Sequence, residues 1–251
     1  MAWSHISVWQ VRQRGPPGCV ETSRGEHFTI PNNFLKTGLT GGHASCRGVA
    51  AGLGEDVRPR QRGRPGTRAC VGHSAGCTVA TALAEQRPGA VAGLAFIDFG
   101  PSLAAKVPER PLFRLALTRF PGRLLWRLRS EASVRKAVRG GFTRPVDIPA
   151  VFVEHALGMT HRDFVGAMRG PLSYLGQRSL PDRLTGLGIP LLVIFGADDR
   201  RWRSSLASGY QAVPGARVEL LPGVGHSPML EDPQTTGKLL LDFASAVGRP
   251  G

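Results

Sequence analysis

Apolar positions in this chain follow two patterns. Four short runs are apolar almost throughout: residues 68–71 (RACV), 91–98 (VAGLAFID), 190–197 (PLLVIFGA) and 217–221 (RVELL). Runs of this length, most of them ended by glycine or proline, predict strands of a parallel sheet buried on both faces. Elsewhere apolar residues recur every three or four positions, as in residues 75–86 (AGCTVATALAEQ), closed by Arg87-Pro88-Gly89, and residues 236–247 (TGKLLLDFASAV). These predict helices. Strands alternating with helices predict an α/β fold, a mostly parallel central sheet with helices on both faces.

Between the second and third strands lies an insertion, residues 101–187, with helical stretches at 112–117, 123–138, 148–157 and 163–175. In 123–138 the apolar residues Leu124, Leu125, Leu128, Val134 and Val138 keep roughly helical spacing. Such a stretch suits a membrane surface or a helix packed over the main domain, and the position of the insertion favours the second. The expected organisation is a core of residues 1–100 and 188–251 with a helical lid at 101–187. The first 68 residues fit this picture least. Residues 12–70 hold nine Arg, eleven Gly and five Pro, with weak strand candidates at 6–11, 27–30 and 33–36 and a helix candidate at 44–53. RPRQRGRPGTR, residues 58–68, reads as a solvated charge run.

Composition sharpens the picture in two ways. A chain of 251 residues with 41% hydrophobic content can bury a sizeable core, and its net charge is +14. The charge is local: residues 1–70 carry ten Lys/Arg against four Asp/Glu, residues 101–145 eleven against two, and residues 146–251 balance. Arg mixed with Gly and Pro also arises from biased codon composition, and this reading is favoured over a polyanion partner. Isolated aromatics such as Trp126 and Trp202 do not make a base-stacking platform, so no specific nucleic acid is expected. Cys19, Cys46, Cys70 and Cys77 show neither a C-x-x-C pair nor metal-ligand spacing. The start, MAWSHISVWQ, lacks the pattern of a secretory signal, and no apolar run reaches membrane-spanning length. A cytoplasmic protein without a membrane span is expected.

The chemistry centres on VGHSAG, residues 71–76. Ser74 stands between Gly72 and Gly76 where a strand turns into a helix, and the glycines let neighbouring backbone come close enough for a sharp turn. The helix start aims its N–H groups at the spot where an oxyanion would form. A serine nucleophile needs a histidine base and an acid to orient it. Asp198 and Asp199 follow the strand PLLVIFG, and His226 lies in the loop GVGHSP beyond RVELL. Serine, acid and histidine thus each follow the end of a strand. Asp98, also at a strand end, is the runner-up acid, and His73, adjoining the serine in sequence, reads as an oriented neighbour rather than a base.

From about residue 68 to 247 the chain resembles the α/β-hydrolase fold superfamily of Ser-His-Asp esterases, lipases and peptidases. The residues that carry the likeness are VGHSAG (71–76), LLVIFGADD (191–199) and LLPGVGHSPMLEDP (220–233). The resemblance implies Ser74, Asp199 and His226 as catalytic residues, because the family's acid ends a G-x-x-D run. It implies backbone N–H groups of Ala75 and Leu39 as the oxyanion hole, Leu39 following a Thr37-Gly38 that stands where the family has His-Gly. An acyl pocket is expected from His73, Phe99, Leu112, Phe113, Phe152, Phe164, Met168 and Tyr174. No metal or organic cofactor is called for. The implied activity is hydrolysis of an ester, with an amide second, of a small or medium organic substrate. Serine at position 74 argues against the dehalogenases and epoxide hydrolases of the fold, which use aspartate there. The family also has a strand and long helix before the nucleophile strand, and residues 58–68 are too short and polar for both. A shortened member and a shifted reading frame both account for this, and a break in the sheet is the expectation. The alternative function is a catalytically impaired binding or scaffold protein on the same fold.

Overall fold

A computed structural model describes residues 7–13, 20–21 and 69–247. The strand and helix candidates at 27–30, 33–36 and 44–53, and Leu39, lie outside the described residues. Among those described, six strands form one sheet: β1 (Ser7–Gln13), β2 (Val20–Glu21), β3 (Ala69–His73), β4 (Gly93–Ile97), β5 (Leu191–Gly196) and β6 (Arg217–Leu221). Their order is β2-β1-β3-β4-β5-β6. β3 through β6 are parallel to one another. β1 runs antiparallel to both β2 and β3, with Ser7 opposite His73 and Val11 opposite Ala69. The expected break beside β3 is therefore not there, because β1 supplies the backbone partners that an absent parallel strand would have supplied.

β3, β4 and β5 are buried along their whole length, which is why they read as unbroken apolar runs. Alternation of side chains divides each strand between two cores. Leu94, Phe96, Leu191, Val193 and Phe195 face one side, against α1 (Gly76–Gln86) and a 3₁₀ segment (Ser204–Ala212). Ala95, Ile97, Leu192 and Ile194 face the other, against Leu239, Leu240 and Phe243. β6, at the edge, is partly exposed.

Between β4 and β5 come α2 (Pro111–Ala116), α3 (Phe120–Arg127), α4 (Glu131–Arg139), α5 (Ala150–Gly158), α6 (His161–Gln177) and α7 (Leu180–Thr185). The single helical stretch expected at 123–138 is two helices. Ser130 leaves the helical conformation, accepts a hydrogen bond from the Ser133 N–H, and its own N–H donates to Ser133 Oγ at 3.0 Å. This capping box starts a new helix where the apolar spacing alone ran on. The chain finishes with α8 (Pro228–Glu231) and α9 (Pro233–Val247), the latter carrying Leu239, Leu240 and Phe243. No described helix is long and apolar enough to cross a membrane.

Phe96 is fully buried at the centre of the sheet. Phe96→Ala is expected to lower stability by about 3–5 kcal/mol, read as a fall in the urea unfolding midpoint.

Candidate active site

The turn after β3 places Ser74 in the left-handed region, at φ 51°, where few residues other than glycine settle. Two backbone bonds hold it there: Ser74 N–H donates to Ile97 O at 2.8 Å, and Cys77 N–H donates to Ser74 O at 2.9 Å. The turn is tight enough that a Cβ on Gly72 would lie 2.7 Å from backbone atoms of Gly76 and Cys77. Any side chain at position 72 would push the helix away from the strand. At the start of α1 the Ala75 N–H donates to no acceptor among the described residues, so it is available to a ligand beside Ser74.

Asp199 and His226 reach the same point from the ends of β5 and β6. The Asp199 Oδ1 accepts the Arg201 N–H at 2.7 Å, and its Oδ2 lies 2.8 Å from His226 Nδ1. His226 Nε2 lies 3.0 Å from Ser74 Oγ. With the Nδ1 proton donated to Asp199, Nε2 is left as the acceptor for the serine hydroxyl. Asp198, by contrast, is exposed. Gly196 makes the convergence possible: a Cβ there would sit 2.0 Å from Gly225 O and 2.5 Å from Val224 O. The His226 main chain is held too, its N–H donating to Gly141 O at 3.0 Å and its carbonyl lying 2.8 Å from His73 Nε2. His73 thus braces the backbone of His226.

Two further carboxyls lie close by, the runner-up acid Asp98 and Glu231, which the strand-end reading missed. Asp98, fully buried and at φ 49°, accepts the Gly196 N–H on Oδ1 at 2.8 Å, while its Oδ2 has no partner among the described residues. Burial pushes this carboxyl well above the usual carboxylate range, and neighbouring Asp199 pushes the same way. Both effects favour the protonated form of Asp98. Burial also lowers the His226 imidazole below its ordinary value, against the opposing pull of Asp199. Asp98, Asp199 and His226 offer donor atoms within 4.8 Å of one another, but His226 Nδ1 is already turned onto Asp199. Glu231 is the second carboxyl. It accepts the backbone N–H groups of Thr143, Arg144, Gly225 and Ser227, at 2.7 to 3.2 Å, and so holds the loop on both sides of His226.

A cavity of about 30 Å³ adjoins Ser74, lined by Phe99, Met168, Leu172 and Trp202 with Lys106 and Arg201. Of the expected lining residues, Phe99 and Met168 border this cavity. The others lie elsewhere. Leu112, Phe113 and Phe164 line a separate cavity of about 230 Å³ around Trp126, where Phe113, Trp126 and Phe164 pack together in a cluster of their own. Phe152 packs with Val134 and Ile148. Tyr174 turns toward α1, its hydroxyl donating to Glu85 at 2.6 Å under the Arg183 guanidinium.

Comparison with known proteins bears on this geometry. Residues 4–237 match the family described as the alpha/beta hydrolase family. The chain belongs to that family. Among curated relatives, a candidate carbamate hydrolase, RutD, of Klebsiella pneumoniae is 28% identical over 185 residues, covering 71% of this chain and 66% of that protein. The chain thus spans just under two thirds of that relative's length. Among solved structures, the esterase EaEST of Exiguobacterium antarcticum aligns with a TM-score of 0.53 at 15% identity, covering 70% of this chain and 65% of its own. Haloalkane dehalogenase DbeA of Bradyrhizobium elkani aligns with a TM-score of 0.56 at 18% identity, covering 70% and 66%. At these identities the likeness shows the fold.

Glu231→Gln puts an NH₂ where one carboxylate oxygen accepts N–H groups. It is expected to cost about 1–3 kcal/mol in urea unfolding, whereas Glu219→Gln, in the surface pair with Arg217, shifts stability by less than about 0.5 kcal/mol.

Proposed function

We propose that the protein is a serine hydrolase that cleaves an ester, or secondarily an amide, of a small or medium organic substrate through an acyl-enzyme. The observation that carries this reading is the continuous hydrogen-bonded chain from Ser74 through His226 to Asp199. In this mechanism Ser74 Oγ attacks the substrate carbonyl as its proton passes to His226 Nε2. Asp199 fixes the imidazole and stabilises its charged form. The tetrahedral oxyanion develops beside the Ala75 N–H, and loss of one such donor typically costs about 10²–10³ in rate. His226 returns the proton to the departing alcohol, leaving an acyl group on Ser74. Water, deprotonated by His226, then attacks that acyl carbon and releases the acid. Carbamates, the class in RutD's name, present the same kind of carbonyl. Residues 101–187 serve as the cap of this site, through Lys106 and α6, and residues 1–100 with 188–251 as its core. The free, buried Cys70 and Cys77 suit a reducing, cytoplasmic setting.

A fluorophosphonate probe is expected to label the folded protein, with fluoride displaced by Ser74 Oγ, and to leave Ser74→Ala unlabelled. Ester turnover should fall by roughly five to six orders of magnitude in that variant. Folded wild-type protein that takes up no label would overturn the hydrolase reading in favour of a binding protein on the same fold.

The pH dependence follows from His226, which must be neutral to accept the serine proton. Because burial lowers its pKa, kcat/KM is expected to persist below the ordinary imidazole value and be lost only as pH falls through the lowered one. Asp199→Asn removes the group that opposes this lowering. The acidic limb should move lower still, and kcat should fall by about 10⁴-fold.

A further inference from the structure

The outward face of α3 is apolar where a surface helix of a globular domain carries polar residues. Trp126 is buried on its inner face, and there a Cβ on Gly122 would meet Ala116 O at 2.5 Å. On the opposite face stand Phe120, Leu124 and Leu128, exposed by 81%, 54% and 72%. Arg119, Arg123 and Arg127 repeat the same four-residue spacing one position earlier and are exposed as well. A basic stripe therefore runs beside the apolar one. α2 continues the patch with exposed Leu112 and Leu115 beside Arg114. Residues 110–129 contain six arginines and no Asp or Glu. Arg114, Arg119, Arg123 and Arg127 enter no ion pair among the described residues.

We infer that this face docks on an anionic lipid bilayer, with α3 lying in the plane of the interface. Phe120, Leu124 and Leu128 enter the acyl region while the flanking arginines meet lipid phosphates. Charge and apolarity together select this occupant. A second copy of the chain would set arginines against arginines. A nucleic acid would satisfy the arginines and leave Phe120 and Leu128 in water. The cavity of about 230 Å³ opens among the same residues, being lined by Leu125, Leu128 and Trp126, so the apolar surface continues into the protein. α3 is eight residues long and lies on the bilayer without crossing it. This docking does not depend on whether Ser74 is catalytic.

The test is co-sedimentation of the full chain with vesicles of phosphatidylcholine alone or containing 40% phosphatidylglycerol (about 40 mol%, a strongly anionic surface). Binding is expected to the anionic vesicles and to be at least ~10-fold weaker to the neutral ones. Arg119→Gln/Arg123→Gln/Arg127→Gln should weaken it by about 100-fold, each lipid-facing arginine contributing roughly a factor of five. Phe120→Ser/Leu124→Ser/Leu128→Ser should weaken it at least ~10-fold with the urea midpoint unchanged, since these side chains face solvent. Absence of binding to anionic vesicles would overturn the inference. So would binding indifferent to both variants, which places the contact elsewhere, or binding indifferent to the serine variant, which reduces it to charge adsorption. Dimerisation abolished by the serine variant, without vesicle binding, would assign the face to a second copy instead.

Discussion

The candidate site rests on one buried carboxylate. The loop around His226 belongs to neither strand nor helix, so its amides have no ladder to join, and buried amides need acceptors. Glu231 meets that need for Gly225 and Ser227, and for Thr143 and Arg144 across the gap between the loop and the inter-strand helices. Three of these four donors share its Oε2. The loop and the chain at 143–144 are thereby tied to one point. His226, between two of the amides so held, has little freedom left.

Ser74 is held by a different principle. Its position follows from the sheet: β3 and β4 are in register from Ala69–Gly93 to His73–Ile97, and the next amide, that of Ser74, continues the ladder onto Ile97 O. One partner is thus held by strand pairing and the other by a side chain, and Gly196 lets the two approach. The electrostatics follow from the same crowding. Two carboxyls and an imidazole share a dry space, and both cannot ionise cheaply. Asp98 has one good bond, from the Gly196 N–H, and is pushed toward its protonated form, while Asp199 has an amide on one oxygen and the imidazole on the other.

Much of this was legible in the sequence where burial is two-sided. β3, β4 and β5 carry apolar residues toward both cores, so their runs are unbroken and their ends are marked by glycine or by the residues that matter chemically. Ser74 and the Asp198-Asp199 pair stood out because they follow such ends, and His226 because it follows the edge strand β6; the G-x-x-D run of the family singled out Asp199. The antiparallel direction of β1 was not legible, since alternation has the same period whichever way a strand runs. Ser130 broke a helix that Leu124, Leu128, Val134 and Val138 made look continuous, the cap residue being polar and silent in an apolar pattern. Phe113, Phe152, Phe164 and Tyr174 announced burial but not which cavity they would border. Glu231 gave least warning of all, because a carboxylate that binds amides leaves no periodicity behind.

The left-handed backbone at Ser74 carries a consequence for the history of this position. At φ 51° the permitted neighbours in sequence space are residues that tolerate this region, glycine, asparagine, aspartate and serine among them, while β-branched side chains strain. Threonine, the nearest chemical relative of serine, is shut out by the main chain rather than by the reaction. Substitution here is filtered first by the geometry of the turn, and a lineage that loses the serine drifts toward asparagine, aspartate or glycine before it reaches threonine or valine.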